Sequence, residues 1–153
     1  MTLTNDFTAR ALVLALARTF ALNLPAGPAR AATITVETEQ DLDAFDEACS
    51  LREALIAAND DRAYRDCPAG SGADRIVFEL SFPATILLTD NLPVITGHLR
   101  ITGPGMEMLT LDGATAYRPI DLDTTAEDGW LLVEDLALAH GRSPVGGSGG
   151  GCR

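Results

Sequence analysis

Two aspartates in the second half of the chain have the spacing that paired-carboxylate chemistry requires. Asp121 and Asp123 are two residues apart, so in a strand both side chains would point to the same face. Glycoside hydrolysis needs two carboxyl groups about 5 Å apart for retention of configuration, or about 6.5 to 9.5 Å apart for inversion. Arg100 and Arg118 could line the same face, and Trp130 could stack on a sugar. Outward-facing acids on strands usually serve as solvated edge protection, so we predict no catalytic residues.

An acidic loop contains the only candidate metal ligands. Asp41, Asp43, Asp46 and Glu47 could surround a calcium ion, which binds about six to eight oxygens. In an EF-hand loop, however, a ligand would replace Phe45 and a glycine would replace Asp46. We therefore expect a solvated acidic loop and no metal or other cofactor.

The histidines and cysteines show no pattern typical of catalysis. His98 and His140 are isolated beside glycines, with no recognisable nucleophile motif near them, so we expect turn or surface roles. Cys49 and Cys67 match no zinc pattern. In an exported protein they could form a bridge, and we predict the disulfide Cys49–Cys67, worth about 3 kcal/mol in the chain-entropy model. Cys152 has no evident partner.

The stretch after the first cysteine predicts a short amphipathic helix. Ser50 and Glu53 have the spacing of a capping box, in which each side chain accepts a hydrogen bond from the other residue's backbone N–H. Leu51, Leu55 and Ala58 form one apolar stripe, and an Asn-Asp-Asp run ends the helix. A helix of about three turns is unstable alone, so this one must pack on another element.

Downstream of the helix, pairs of apolar residues separated by one residue indicate strands with one face inward. They recur about every 21 to 23 residues, which with several strands and turns per repeat is typical of a β-solenoid. A β-sandwich would show turn signals about every 8 to 12 residues without this register. The strands of the first predicted series begin at Ile76, Leu99 and Ile120. Those of the second series begin at Ile86, Leu109 and Leu131.

This register predicts an ion pair and a role for the helix. Arg100 and Asp121 would be outward residues of neighbouring strands about 4.8 Å apart. The helix would cover the open first coil, whose strand edges would otherwise be exposed, and Arg52 would bond to carbonyls of that coil. The predicted structural cap consists of Cys49, Ser50, Leu51, Arg52, Glu53 and Leu55.

The N-terminal residues and the overall charge limit where the protein acts. Arg10, the apolar run 11–17 and the Ala-Arg-Ala sequence at 29–31 are typical of a signal peptide, with cleavage after Ala31. The alternative is an ordinary N-terminal helix. No run approaches the ~20 apolar residues of a membrane span. Acidic residues outnumber basic ones by 22 to 11, and every basic residue is arginine, which argues against nucleic acid as a partner.

Taken together, these features resemble the CSLREA-domain proteins, exported bacterial proteins of the pectin-lyase-like class. The resemblance implies a mainly β fold, a right-handed parallel β-helix (solenoid) with an N-terminal capping α-helix, and a secreted or cell-surface location. It covers residues 33–151, and its motifs are 49–54 (CSLREA), 57–59, 67–78, 92–95, 99–105 and 109–113.

The resemblance also implies a domain plan and a function. We expect a signal peptide (1–31), an N-terminal strand and capping-helix region (32–74), β-helix coils (75–145) and a glycine-rich tail (146–153). Family members continue through more coils, so the tail is predicted to mark a truncation point; the alternative is a complete protein with a flexible tail. The expected function is non-enzymatic, as the capped N-terminus of a surface or secreted repeat protein for adhesion or display.

Two kinds of partner follow from this expectation. Host or cell-surface glycans or proteins would be bound, and the rest of a longer β-helix chain would stack on the coils. The alternative function is a remnant or module of a polysaccharide-active β-helix enzyme, a lyase or a glycoside hydrolase.

Overall fold

The computed structural model describes residues 30–123, 125 and 129–142. Most of the predicted signal peptide and the whole glycine-rich tail lie outside these residues. The described part is mainly strands with one helix, and it contains no helix long and apolar enough to cross a bilayer. Its strands are β1 (Thr33–Val36), β2 (Ala73–Phe78), β3 (Ala84–Leu87), β4 (His98–Thr102), β5 (Leu109–Asp112), β6 (Leu131–Glu134) and β7 (Ala137–Ala139), and the helix α1 (Leu51–Asp60) lies between β1 and β2.

The strands form two parallel sheets. One has the order β1-β2-β4-β6 and the other the order β3-β5-β7. From β2 onward, consecutive strands alternate between the two sheets. A single parallel bridge joins Ile95 to Leu122 at a third position, outside the named strands. The chain therefore returns to each sheet one strand further along at every repeat.

The core consists of aliphatic side chains stacked in register. Ile34 pairs with Ile76, and Ile76 with Ile101, and all three are fully buried. In the second sheet, Ile86 pairs with Leu111, and both are buried. Burying one such side chain contributes about 1.5 to 3 kcal/mol. Alternate residues of each strand therefore supply the inward face that the apolar pairs predict.

The predicted repeat register is wrong along the whole stack: Ile76 pairs with Ile101 and Ile86 with Leu111, whereas the predicted period of 21 to 23 residues places them beside Leu99 and Leu109. Ala73 pairs with His98, 25 residues later, whereas Leu99 pairs with Leu131, 32 residues later. Leu131 therefore belongs to the first sheet and not to the second series. Ile120 lies outside the named strands. The residue that bridges to Ile95 is Leu122, two positions later. The larger shift at β6 comes from a longer connection between β5 and β6, because lengthening a loop costs little free energy and need not preserve the period.

The predicted ion pair between Arg100 and Asp121 is wrong for the same reason. β4 lies beside β6, so Arg100 donates to Glu134, with Nε and Oε1 2.8 Å apart. These hydrogen bonds lower the pKa of Glu134. Asp121 is instead bound to Arg118, three residues earlier in the chain. Outward charges are matched across strands as expected, but with a different partner.

Candidate functional site

The start of α1 is capped by the predicted reciprocal hydrogen bonds. The Ser50 hydroxyl accepts from the Glu53 N–H at 3.2 Å, and Glu53 Oε2 accepts from the Ser50 N–H at 3.0 Å. The same two side chains also bind the preceding loop. Ser50 Oγ donates to the Leu42 carbonyl at 2.6 Å, and Glu53 Oε1 accepts from the Ala44 N–H at 2.8 Å. The capping box is confirmed, and it also fastens the acidic loop to the helix.

The inward face of α1 is close to the predicted stripe. Leu51 and Leu55 are each 1% exposed, as expected. Ala54 and Ala57 are fully buried, whereas the predicted stripe residue Ala58 is only partly buried against the core. The helix contacts β1, the first strand of its sheet. α1 thus lies over the beginning of the stacked core.

The disulfide Cys49–Cys67 is present, as predicted. The two Cα atoms are 4.8 Å apart, and the residues are 1% and 2% exposed. The Glu37 N–H donates to the Cys49 carbonyl at 2.9 Å, which ties the end of β1 to the residue before the helix cap. Tyr64 and Cys67 exchange backbone hydrogen bonds in a short bridge. The segment that follows α1 is therefore held against its N-terminus.

Arg52 links the helix to the connection that follows β3 of the second sheet. It donates from Nη1 to the Asn91 carbonyl at 2.7 Å and from Nη2 to the Asp90 carbonyl at 3.1 Å. These carbonyls follow β3, so the prediction that Arg52 bonds to backbone carbonyls of the first coil is met at this connection. The guanidinium also donates to both carboxylate oxygens of Asp41, from Nε at 2.8 Å and from Nη2 at 2.7 Å.

Asp41 completes the contact between α1 and the connection after β3, a role that the sequence does not predict. Its side chain is inaccessible to solvent, and it accepts hydrogen bonds from the Thr89 N–H at 2.8 Å and the Thr89 hydroxyl at 3.0 Å. Burial alone would raise the pKa of Asp41, but the hydrogen bonds from Arg52 and Thr89 outweigh it and lower the pKa. We refer to Asp41, Arg52 and Thr89 as the latch.

The three remaining calcium candidates take part in other hydrogen bonds, through the side chain of Asp43 and through the backbone N–H groups of Asp46 and Glu47. Asp43 accepts from Arg65 Nε at 2.8 Å and from the Tyr64 hydroxyl at 3.1 Å. The backbone N–H groups of Asp46 and Glu47 both donate to Asp66. The described residues contain no group of three or more His, Cys, Asp or Glu side chains that could hold a metal ion. The four calcium candidates are thus not brought together around one point.

Asn59 and Asp74 also bind backbone groups of distant segments, a role that the sequence does not predict. Asn59, predicted only to end the helix, donates to the Val94 carbonyl at 2.8 Å and accepts from the Thr96 N–H at 3.1 Å. Asp74 is 1% exposed and accepts from the backbone N–H groups of Ala32 and Ser71. A buried Asp at an inward strand position was the available signal, because such a carboxylate needs partners.

No family model, curated protein or solved structure matches this chain. The disulfide, the capping box, the latch and Asn59 together hold α1 over the first strand. We call this arrangement the covered end and α1 its lid.

The residues considered for sugar chemistry make structural contacts, and the Arg118 N–H donates to the Asn91 side chain at 2.7 Å. Asp121 is bound by Arg118, and Asp123 Oδ1 accepts from the Thr125 N–H at 2.8 Å. The His98 ring meets the Trp130 ring edge-on, with centroids 5.7 Å apart.

His140 Nδ1 lies 2.9 Å from Asp112 Oδ2, and this contact lowers the pKa of Asp112. His140 has a positive φ of 47° directly after β7, which is the turn position expected for it.

Proposed function

We propose that this chain is the capped N-terminal segment of an exported right-handed parallel β-helix that serves as a scaffold for adhesion or display, similar to the CSLREA-domain proteins. The single observation that carries the proposal is the covered end. Side chains from the acidic loop, α1 and the connection after β3 are used to hold one helix over the first strand of a parallel stack. In this interpretation, these residues have a structural and not a catalytic role.

The strand arrangement supports the β-helix part of the proposal. Strands alternate between two parallel sheets, and the single Ile95–Leu122 bridge adds a contact at a third position between two successive repeats. Parallel strands joined by crossovers in this way are right-handed in nearly all proteins, because of the twist of the strands. A coil with contacts at three positions would stack each new turn on the previous one.

The lid supports the assignment of this end as the N-terminus of the stack. A β-solenoid must protect its terminal coil, since an uncovered edge pairs with other chains. α1 buries its leucines against the core, and Arg52 and Asn59 bind carbonyls of the connection between β3 and β4. The carbonyls of Asp90, Asn91 and Val94 are thereby bonded at the same time as the core is covered.

The disulfide supports export. Such bridges persist in oxidising compartments, whereas cytoplasmic thiols are normally kept reduced. Both cysteines are buried beside the helix cap, so the bridge belongs to the lid and not to a redox site. A protein whose lid depends on this bond would be assembled outside the cytoplasm.

Export and catalysis can be tested on one preparation. The full chain is expressed in a bacterial host, fractionated, and its N-terminus and cysteine oxidation are determined by mass spectrometry. We expect an exported form that begins at Ala32 with Cys49 and Cys67 joined.

The protein is then incubated with acidic and neutral polysaccharides, with and without calcium, and we expect no unsaturated or reducing ends. Beads coated with the protein should be retained on surfaces that carry glycans or proteins.

Different outcomes contradict different parts of the proposal. Retention in the cytoplasm with both thiols reduced would argue against export. Release of unsaturated or reducing ends would replace the scaffold with the polysaccharide-active alternative. Antiparallel or left-handed strand connections in an experimental structure would exclude the β-helix.

A further inference from the structure

Asp74 is a buried carboxylate whose hydrogen-bond partners are backbone amides. It lies on the inward face of β2, in register with the buried Leu99 of β4, and it is 1% exposed. Its oxygens accept from the Ser71 N–H at 2.8 and 3.0 Å and from the Ala32 N–H at 2.9 Å. None of the ion pairs formed among residues 30–123, 125 and 129–142 includes Asp74. Burial of an ionised carboxylate is costly unless a cation lies beside it.

Ala32 is held beside this carboxylate by the first sheet. β1 pairs with β2 so that Thr33 is opposite Arg75, which places Ala32, one residue earlier, opposite Asp74. The Ala32 carbonyl also accepts from the Arg75 N–H at 2.9 Å. Neither contact involves a residue before Ala32. The backbone nitrogen of Ala32 would therefore stay beside Asp74 in a chain that began at this residue.

The bond that precedes Ala32 is the one at which the signal-peptide pattern predicts cleavage. Arg30 and Ala31 are exposed, whereas Ala32 is partly buried, so the bond lies where an accessible segment meets the sheet. Its hydrolysis by a signal peptidase consumes one water and leaves a carboxylate on Ala31 and an α-amino group on Ala32. The ordinary pKa of an α-amino group is about 7.7 to 8.0, so this group takes up a proton at neutral pH.

We propose that removal of residues 1–31 places the new α-ammonium group of Ala32 against the buried carboxylate of Asp74, so that cleavage itself supplies a cation to the start of the stack. The inference rests on the proposed export and on cleavage after Ala31. Before cleavage, the Ala32 nitrogen is an amide and gives Asp74 one neutral hydrogen bond. After cleavage, the nitrogen is charged, and a charge-assisted hydrogen bond is roughly twice as strong as a neutral one. The processed chain is therefore more stable than its precursor.

The composition of the chain provides a selective chemical probe of this contact. The chain contains no lysine, so the α-amino group of Ala32 would be the only primary amine of the processed protein. An acetylating ester reacts with the unprotonated amine, so an ammonium group held beside Asp74 should react slowly. Acetylation also converts the ammonium into a neutral amide that keeps one N–H for Asp74. The acetylated protein thus reproduces the contact of the precursor and lacks only the charge.

The test uses the full chain, expressed with its N-terminal segment, exported and purified, with its first residue determined by mass spectrometry. The protein is treated with an acetylating ester at pH 8, and modification of the N-terminal peptide is followed over time. We expect the folded protein to react at least about tenfold more slowly than the same protein unfolded in urea, as a rise of one pKa unit would produce.

Two variants separate the charge of Asp74 from other effects. Asp74→Asn keeps an acceptor oxygen but removes the charge, so its Ala32 amine should react several times faster than that of the parent. The matched control is Glu134→Gln, because Glu134 is an ion-paired carboxylate on β6, three strands from β1 in the same sheet. Its amine should react at the parent rate.

Thermal unfolding gives a second measurement. The parent is acetylated in urea and refolded with its disulfide intact, and we expect its midpoint to fall by about 4 °C or more. Acetylation should shift the midpoint of Asp74→Asn by less than half as much. If this variant fails to fold, the comparison between the folded and the unfolded parent decides alone.

The possible failures of this inference and of the proposed function are distinguishable. An Ala32 amine that reacts equally fast in the folded and unfolded parent would overturn the inference and leave export and the scaffold intact. Equal shifts on acetylation of the parent and of Asp74→Asn would do the same. An exported protein with a different first residue would overturn the inference together with the proposed cleavage site.

Discussion

Arg52 and Asp41 form a two-pronged ion pair across the loop that precedes the helix, with N–O distances of 2.8 and 2.7 Å. The arginine side chain is 14% exposed and the carboxylate is fully buried. A buried ion pair is favourable only when its remaining hydrogen-bonding groups are also satisfied. Thr89 supplies that need for Asp41, and the carbonyls of Asp90 and Asn91 supply it for Arg52. No buried side-chain polar atom in the described part of the chain is without a partner.

Removing the arginine should destabilise the lid strongly. Arg52→Ala leaves the Asp41 carboxylate buried without its cation, and we expect the free energy of unfolding to fall by about 2 to 4 kcal/mol. Urea unfolding followed by circular dichroism measures this change. Arg62→Ala is the matched control, because the Arg62–Asp60 pair has side chains 67% and 40% exposed and should contribute less than about 0.5 kcal/mol. Equal losses in the two variants would show that the latch has no special role.

Acid should weaken the latch. The pKa of Asp41 is lowered from its ordinary value of 3.8, so the folded state holds this carboxylate ionised where the unfolded state begins to bind a proton. The stabilisation is present above the ordinary pKa and is lost as the pH falls through the folded value. We therefore expect stability to drop below about pH 4, and Asp41→Asn to flatten this acid limb.

The measurement for Asp41 is the urea midpoint as a function of pH for the parent protein and the Asn variant. Asp60→Asn, at a more exposed carboxylate, is measured alongside as the control. The carboxyl groups of Asp112 and Glu134 also have lowered pKa values, so only the difference between variants reports on Asp41. Parallel curves for the parent and Asp41→Asn would contradict the assignment.

Loss of the disulfide should cost about 3 kcal/mol, according to the chain-entropy model for a loop of this size. Cys49→Ala combined with Cys67→Ala tests this without introducing buried hydroxyl groups. Chemical unfolding of the double variant is compared with that of the oxidised parent. A reducing agent should have no further effect on the variant. A loss below about 1 kcal/mol would mean that the lid is held mainly by the latch and the capping box.

Gly70 should not tolerate a side chain. A Cβ at this position would lie 2.7 Å from the Ala57 carbonyl oxygen and 2.8 Å from the Ala58 Cα, both in the backbone of α1. Gly70→Ala must push the connection away from the helix, and we expect a loss of about 1 to 3 kcal/mol. A Cβ at Gly97 would meet no atom within 4 Å, so Gly97→Ala should be neutral or slightly stabilising. Thermal unfolding of the two variants should rank Gly70→Ala clearly lower.

Features that depend on neighbours in the chain were accessible from the sequence. Ser50 and Glu53 are three residues apart, and their hydrogen bonds form within the first turn of the helix, so spacing alone is sufficient to predict them. The inward face of each strand follows from alternation, as Leu99 and Ile101 show. The disulfide was also predictable, because the two cysteines flank one short helix.

Features that depend on loop paths were not accessible. The position of Asp41 among other acids suggests a calcium ligand, whereas its hydrogen-bond partner Thr89 is 48 residues away in the chain. Likewise, a constant period pairs Arg100 with Asp121, but the longer connection before β6 breaks that period.

The sequence by itself determined the helix, its cap, the apolar faces of the strands and the cysteine pair, since each follows from local geometry. Only the tertiary structure decided which strand lies beside which, that Asp41 closes a latch with Arg52, and that Leu138 remains exposed at the last strand. The physical reason is that pairing of distant strands depends on the summed burial of both partners and on the path of each connection. Periodicity in the sequence reports the first of these and not the second.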